Sequence, residues 1–326
     1  MSLDNNKPVL VYYTMLNYAP AAEKLMTDNF RVIILENPEE LKPVVMDRAE
    51  VLLAPLGYYL GKEIMDACPK LRAIGSNTTG HPHIDVDYAR EKGVKVVTLK
   101  DHQDFLDTIT PTAELTWGLI IALTRNIVPG FKSVLDGQWA RWPFGGKAML
   151  SRMSLGVAGL GRLGKLVASY GVAFGMDVKY YDPFVEKSPV DGITKLSSLE
   201  ELVESSDIVT IHIPHEPETE NLFSAELFEK FKDGAFFVNT SRGELVDHDA
   251  LLKALESGKL GGAAVDVLDG EFDPDFGSKV LDQPLVKYAQ EHDNLIITPH
   301  IGGSTLDAWS LTQEYTIAKI IEGLGL

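Results

Sequence analysis

Ser154-Leu155-Gly156-Val157-Ala158-Gly159-Leu160-Gly161-Arg162-Leu163-Gly164 sets the architecture. An apolar run feeds a glycine-rich turn that opens an amphipathic stretch, and Asp182 closes a second apolar run eighteen residues after Gly164. The run reads as a strand and the stretch as a helix. Gly159 makes a turn that other residues resist, Gly161 lets the backbone approach a pyrophosphate, and Gly164 lets the helix lie close to the sheet. Arg162 and Leu163 sit in the first turn of that helix, whose unpaired N–H groups face the phosphates. Asp182, in Lys179-Tyr180-Tyr181-Asp182-Pro183, stands where a carboxylate accepts hydrogen bonds from a ribose 2′-hydroxyl and repels a 2′-phosphate. The pattern predicts a dinucleotide site for NAD rather than NADP.

Outward from this turn, short apolar strands alternate with amphipathic helices, the signature of α/β folds with parallel sheets. Before it, strands are expected at Pro8–Tyr13, Arg31–Leu35, Val51–Pro55, Leu71–Gly75 and Val94–Leu99, with helices such as Ala21–Asn29 and Glu63–Cys68 between them. That series has no glycine-rich phosphate turn. After it, strands near Val178–Asp182, Ile208–Ile213, Ala235–Asn239, Gly262–Leu268 and Leu295–Pro299 complete a six-stranded Rossmann pattern. Between the two series, Thr110-Pro111 reads as an N-cap followed by proline at the first helical position, opening a helix from Thr112 to Arg125. A last helix over Leu306–Glu322 is expected to pack back across the domain junction.

The 326 residues, 45% of them apolar, exceed one typical core and fit two domains. A formal charge of −17 argues against nucleic acid or an anionic membrane as partner. Cys68 is the only cysteine, which excludes an internal disulfide, fits a reducing compartment and reads as a small buried filler. Met1-Ser2-Leu3-Asp4-Asn5-Asn6 has neither a basic nor an apolar leader region, and no apolar run approaches the ~18 residues of a membrane span. A cytoplasmic protein is expected.

In open parallel sheets, ligands bind beyond the carboxyl ends of the strands. Arg242 follows the strand ending at Asn239, Glu271 follows the one ending at Leu268, and His300 follows Pro299. Hydride transfer to a 2-keto acid needs a grip on the carboxylate, a donor to polarise the ketone, and a proton for the new alkoxide. A guanidinium offers paired donors for the first two tasks, and an imidazole works in both directions for the third. A carboxylate on the other ring nitrogen fixes the tautomer. Singly, each has a plainer reading: Arg242 pairing with Glu244 or Asp247, Glu271 a solvated acid among Asp269, Asp273 and Asp275, His300 a satisfied strand-end histidine. Their joint position after three strands, beside a nucleotide turn, favours chemistry.

With Val238-Asn239-Thr240-Ser241-Arg242-Gly243-Glu244-Leu245-Val246-Asp247 and Thr298-Pro299-His300-Ile301-Gly302-Gly303-Ser304-Thr305 added to the glycine hexapeptide, the chain resembles the NAD-dependent D-isomer-specific 2-hydroxyacid dehydrogenases from Leu71 to Thr305, more weakly before that. This family includes phosphoglycerate, glyoxylate/hydroxypyruvate and D-lactate dehydrogenases. The resemblance implies a catalytic triad of Arg242, Glu271 and His300, with Asp266 on the nicotinamide carboxamide, Thr240 lining the cofactor, and His212 and Pro214 bordering the adenosine. It places backbone amides of Asn77, Thr78, Thr79 and Gly80 at the substrate carboxylate. It also implies that the first domain closes over the cofactor domain to exclude water, and a homodimer joined through the helix at Thr112–Arg125.

The expected α/β fold has two Rossmann-like domains with parallel sheets: a flavodoxin-like substrate domain (1–106 and 301–326) and an NAD-binding Rossmann domain (107–300). The expected reaction interconverts a small D-2-hydroxy acid and its 2-keto acid. Alternatives are an NAD(H)-sensing corepressor on the same scaffold and a phosphoglycerate dehydrogenase without a regulatory domain. Relatives specific for phosphoglycerate tend to carry an arginine where this chain reads Ala54-Pro55-Leu56-Gly57-Tyr58-Tyr59, and family members commonly follow the glutamate with proline, whereas Glu271 precedes Phe272-Asp273-Pro274. His81 and His83 lack a third ligand, so no metal is expected. Tyr58, Tyr59 and His81 are candidates for shaping the substrate pocket, while Trp117, Trp139 and Trp142 read as core or dimer contacts.

Overall fold

The structure, a computed structural model, describes residues 7–81, 83–273 and 275–326. The segment Met1–Asn6, together with Pro82 and Pro274, lies outside the described residues. The chain divides into two compact units, one running to Ile109 and resuming over Ser304–Leu326, the other Thr110–Gly303.

In the first unit, β1 (Val9–Tyr13), β2 (Arg31–Leu35), β3 (Val51–Leu53), β4 (Ala73–Gly75) and β5 (Lys95–Val97) form a parallel sheet in the order β2-β1-β3-β4-β5. This is the flavodoxin-like order. Alternation along the strands sends Val11, Tyr13 and Leu52 into one core and Leu10, Tyr12, Val51 and Leu53 into another, so both faces are covered. Cys68 lies in the first of these cores, where burial pushes its thiol up to about 11. The second is completed from the far end of the chain by Ile317 and Ile320 of the helix Leu306–Leu324. Both are fully buried, each worth about 1.5–3 kcal/mol by transfer. Gln313 on that helix accepts from the Ala19 N–H at 2.7 Å, tying it to the start of the helix Pro20–Asn29.

The second unit holds a parallel sheet of seven strands rather than six. β6 (Ser154–Ala158), β7 (Asp177–Tyr181), β8 (Ile193–Lys195), β9 (Ile208–Ile211), β10 (Ala235–Asn239), β11 (Leu260–Val265) and β12 (Leu295–Ile297) lie in the order β12-β11-β10-β9-β6-β7-β8. The missed strand, β8, has three residues, none of them buried, and sits at the sheet edge, so it carries no apolar signal. Elsewhere the period is clear: Val209, Ile211 and Phe237 face one core, Ile208, Phe236 and Val238 the other. The helix Pro111–Thr124 is embedded in the latter, and its Trp117 stacks on Phe174 at 4.7 Å and donates to the Val167 carbonyl. Thr110 occupies the N-cap position without capping, because its backbone is already helical and its hydroxyl donates to Glu114 at 2.6 Å. Trp139 and Trp142 are not core residues, being 91% and 85% exposed.

Candidate active site

Because every strand of the second sheet runs the same way, the turns after β6, β7, β9, β10, β11 and β12 gather along one edge. The order reverses between β6 and β9, the switch point at which such sheets bind nucleotides. The glycine turn follows β6 there. Gly159 takes φ +89°, and a Cβ on it would lie 2.5 Å from the His212 carbonyl oxygen in the turn after β9. A Cβ on Gly164 would lie 2.1 Å from the Gly159 carbonyl, so only glycine lets the helix Arg162–Ala173 start so close to the strand. Gly161 differs: a Cβ there would meet no protein atom within 4 Å, and no side chain caps this helix. An open turn over an uncapped helix start fits a pyrophosphate.

Asp182, 8% exposed, accepts from the Leu160 N–H at 2.7 Å with one oxygen and from Phe184 and Val185 N–H with the other. The acid therefore holds the glycine turn itself. Burial holds His212 at a pKa of about 3, an uncharged ring 3.1 Å from the Thr210 hydroxyl. Thr240, also buried, shares a 2.7 Å hydroxyl contact with Thr116.

Arg242 sits in the turn after β10, held by Asn239, whose amide donates to the Arg242 carbonyl at 2.8 Å and whose oxygen accepts from Ser241 N–H. Sequence reasoning had given Asn239 no part, since its role depends on a side chain folding back on the next turn. One guanidinium nitrogen donates to the Ser241 carbonyl at 2.6 Å, and among the described residues no carboxylate pairs with it. The plainer pairing with Glu244 or Asp247 is absent. A Cβ on Gly243 would lie 2.2 Å from Asp269 N, so this turn is pressed against the chain leaving β11, two residues before Glu271.

Glu271 is no solvated acid. Its Oε1 lies 2.6 Å from His300 Nδ1, with only 12% of its side chain exposed. A ring nitrogen aimed at a carboxylate carries the proton, which leaves Nε2 as the working nitrogen. The Phe272 ring stands 5.7 Å from the imidazole. His300 itself adopts φ +52°, an uncommon conformation for a residue with a Cβ. Asp266 makes that possible: 1% exposed, it accepts from Thr298 Oγ1 at 2.6 Å, Ile301 N–H at 2.9 Å and Gly302 N–H at 2.7 Å. Burial raises its pKa against those three bonds. The carboxamide contact expected of Asp266 is therefore left to whatever lone-pair direction remains.

In the first unit, the loop Asn77-Thr78-Thr79-Gly80 follows β4. Among the described residues, none of its four backbone N–H groups has an acceptor. His83 beside it is buried and bonded to Ser76, and no group of three metal-ligating side chains exists among the described residues.

An uncapped glycine turn at the switch point, answered by an acid on the next strand, defines a dinucleotide-binding protein of the Rossmann class. Residues 117–302 match the NAD binding domain of the D-isomer specific 2-hydroxyacid dehydrogenases, and the chain belongs to that family. It is 36% identical to a D-3-phosphoglycerate dehydrogenase of Methanocaldococcus jannaschii over 83% of its own length, spanning 48% of that relative. It is 35% identical to a glyoxylate reductase of Thermofilum pendens, over 87% of this chain and 80% of that one. Its fold matches a D-lactate dehydrogenase from Aquifex aeolicus, solved with NAD and lactic acid, at TM-score 0.83 and 28% identity, covering 97% of this chain and 95% of that one.

Proposed function

We propose that this protein interconverts a small, non-phosphorylated D-2-hydroxy acid and its 2-keto acid, using NAD(H). The observation that carries this reading is a guanidinium with no carboxylate partner among the described residues, on a turn packed against the chain that leads to the Glu271–His300 pair. In the reducing direction, bound NADH supplies the hydride. Arg242 holds the keto acid by paired hydrogen bonds and polarises its carbonyl. His300 Nε2 gives the carbonyl oxygen its proton while Glu271 keeps Nδ1–H directed and offsets the charge the ring carries beforehand. Asp266 holds the His300 loop, and Asn77, Thr78, Thr79 and Gly80 offer their amides to the carboxylate.

Two observations support a substrate without phosphate: Ala54–Tyr59 contains no cation, and Phe272 presents an aromatic face beside His300. The test is NADH oxidation, followed by absorbance, across glyoxylate, hydroxypyruvate, pyruvate, branched keto acids and phosphohydroxypyruvate, repeated with NADPH. Turnover of a non-phosphorylated acid with NADH is expected. Tight NADH binding without turnover of any of them would support a sensor, and preference for phosphohydroxypyruvate would place the chain among phosphoglycerate dehydrogenases.

We further propose a homodimer, assigned to the helix Ile127–Leu135 rather than to Pro111–Thr124, which is largely buried within its own unit. Phe131, Leu135, Trp139 and Trp142, close together in the chain, are each more than half exposed, the kind of apolar surface that a partner covers.

A further inference from the structure

A loop with four unpaired amides needs something to hold its shape. Thr78 Oγ1 lies 2.6 Å from the Gly80 carbonyl, which only accepts, so the threonine hydroxyl donates there. Its contact with Ser76 Oγ at 2.9 Å must then be one in which serine donates. Ser76, having used its proton, accepts from His83 Nε2 at 3.1 Å; the Ala54 carbonyl lies 3.4 Å from the serine oxygen and also faces the His83 ring, a second acceptor beside the same Nε2–H. Read back from the Gly80 carbonyl along its shortest contacts, the chain has one direction. It runs His83 Nε2–H, Ser76 Oγ–H, Thr78 Oγ1–H, Gly80 carbonyl, and it requires His83 neutral with the proton on Nε2. His83 Nδ1 is buried without a partner among the described residues, as suits a bare lone pair better than an N–H. His83 is 5% exposed and its own carbonyl accepts from Leu60 N–H, so burial and backbone both restrain the head of the chain.

We propose that His83 is a positioning residue for the substrate: by heading this hydrogen-bond chain it sets the curvature of Asn77–Gly80, so that the amides converge on the carboxylate of a 2-keto acid. This rests on the assignment of that loop to the substrate carboxylate. The loop alone is tested by adding oxamate to the NADH-loaded wild-type enzyme and following the amide signals of residues 77–80 by NMR. Those signals should shift; if they do not, the loop assignment falls and takes the role of His83 with it.

With that shift in hand, kinetics test the histidine separately. His83→Leu should raise KM for the keto acid about three- to tenfold, the worth of one good hydrogen bond, with kcat and NADH affinity little changed. Ser76→Ala, which cuts the chain one link later, should do the same. His83→Gln, whose amide nitrogen reaches the place of Nε2, should restore most of the loss. An unchanged KM in His83→Leu and Ser76→Ala, or glutamine no better than leucine, would overturn the proposal. So would nitrogen chemical shifts showing His83 protonated on Nδ1.

Discussion

At the residue scale, the decisive object is His300, held in a conformation that costs about 1–3 kcal/mol for a side chain with a Cβ. Three hydrogen bonds to a buried carboxylate offset that cost, so Asp266 and His300 work as one unit across the ends of β11 and β12. His300→Ala should lower kcat by about 10²–10⁴ while NADH affinity, measured by fluorescence, stays near wild type. His83 gives a prediction about stability instead. Burial holds its pKa at about 4 against an ordinary 6.5. The unfolded chain therefore binds a proton at that site, as the folded one does not, throughout the interval between those values. Its contribution is fully present above 6.5 and is lost as pH falls toward 4, to the extent of roughly 3 kcal/mol. Urea unfolding at several pH values should show a shallower loss of stability over that interval in His83→Gln than in the wild type.

At the scale of the element, the glycine turn divides two jobs between two residues, the division that the spacing of the glycines predicts. Gly164→Ala drives a methyl into the Gly159 carbonyl and should lower stability by about 1–3 kcal/mol along with NADH affinity. Gly161→Ala meets no protein atom; its melting temperature should be unchanged, yet NADH affinity should fall about tenfold or more, because the methyl occupies the approach to the pyrophosphate. A parallel loss of stability in both variants, seen by calorimetry, would refute this division. Such spacing is readable from the chain because the strand, turn and helix are contiguous. Arg242, Glu271 and His300 were legible for a related reason, each lying just past an apolar run. What stayed hidden depends on partners distant in sequence. The grip of Asp266 on Ile301 and Gly302 spans more than thirty residues, Asp182 turns back to Leu160, and β8 has meaning only as a neighbour of β7. Thr110 misled because a threonine before proline looks like a cap until its hydroxyl is seen on Glu114.

For the whole molecule, the exposed aromatic segment after the helix Ile127–Leu135 predicts association. Light scattering should report a dimer for the wild type, and Phe131→Glu combined with Trp142→Glu should shift it to a monomer of unchanged fold. The route of the chain matters as much as its surfaces. The first sheet is covered on one face by Ile317 and Ile320, residues made after every strand of the second unit. During synthesis the contiguous middle portion, Thr110–Gly303, is able to close as it emerges, whereas the part translated earliest keeps one apolar face only partly covered, by the helix Pro20–Asn29, until the helix Leu306–Leu324 has emerged. A nascent chain arrested with Gly303 just outside the ribosomal exit tunnel should therefore display a protease-resistant nucleotide-binding half behind a protease-sensitive amino-terminal one, the reverse of the order in which they were born.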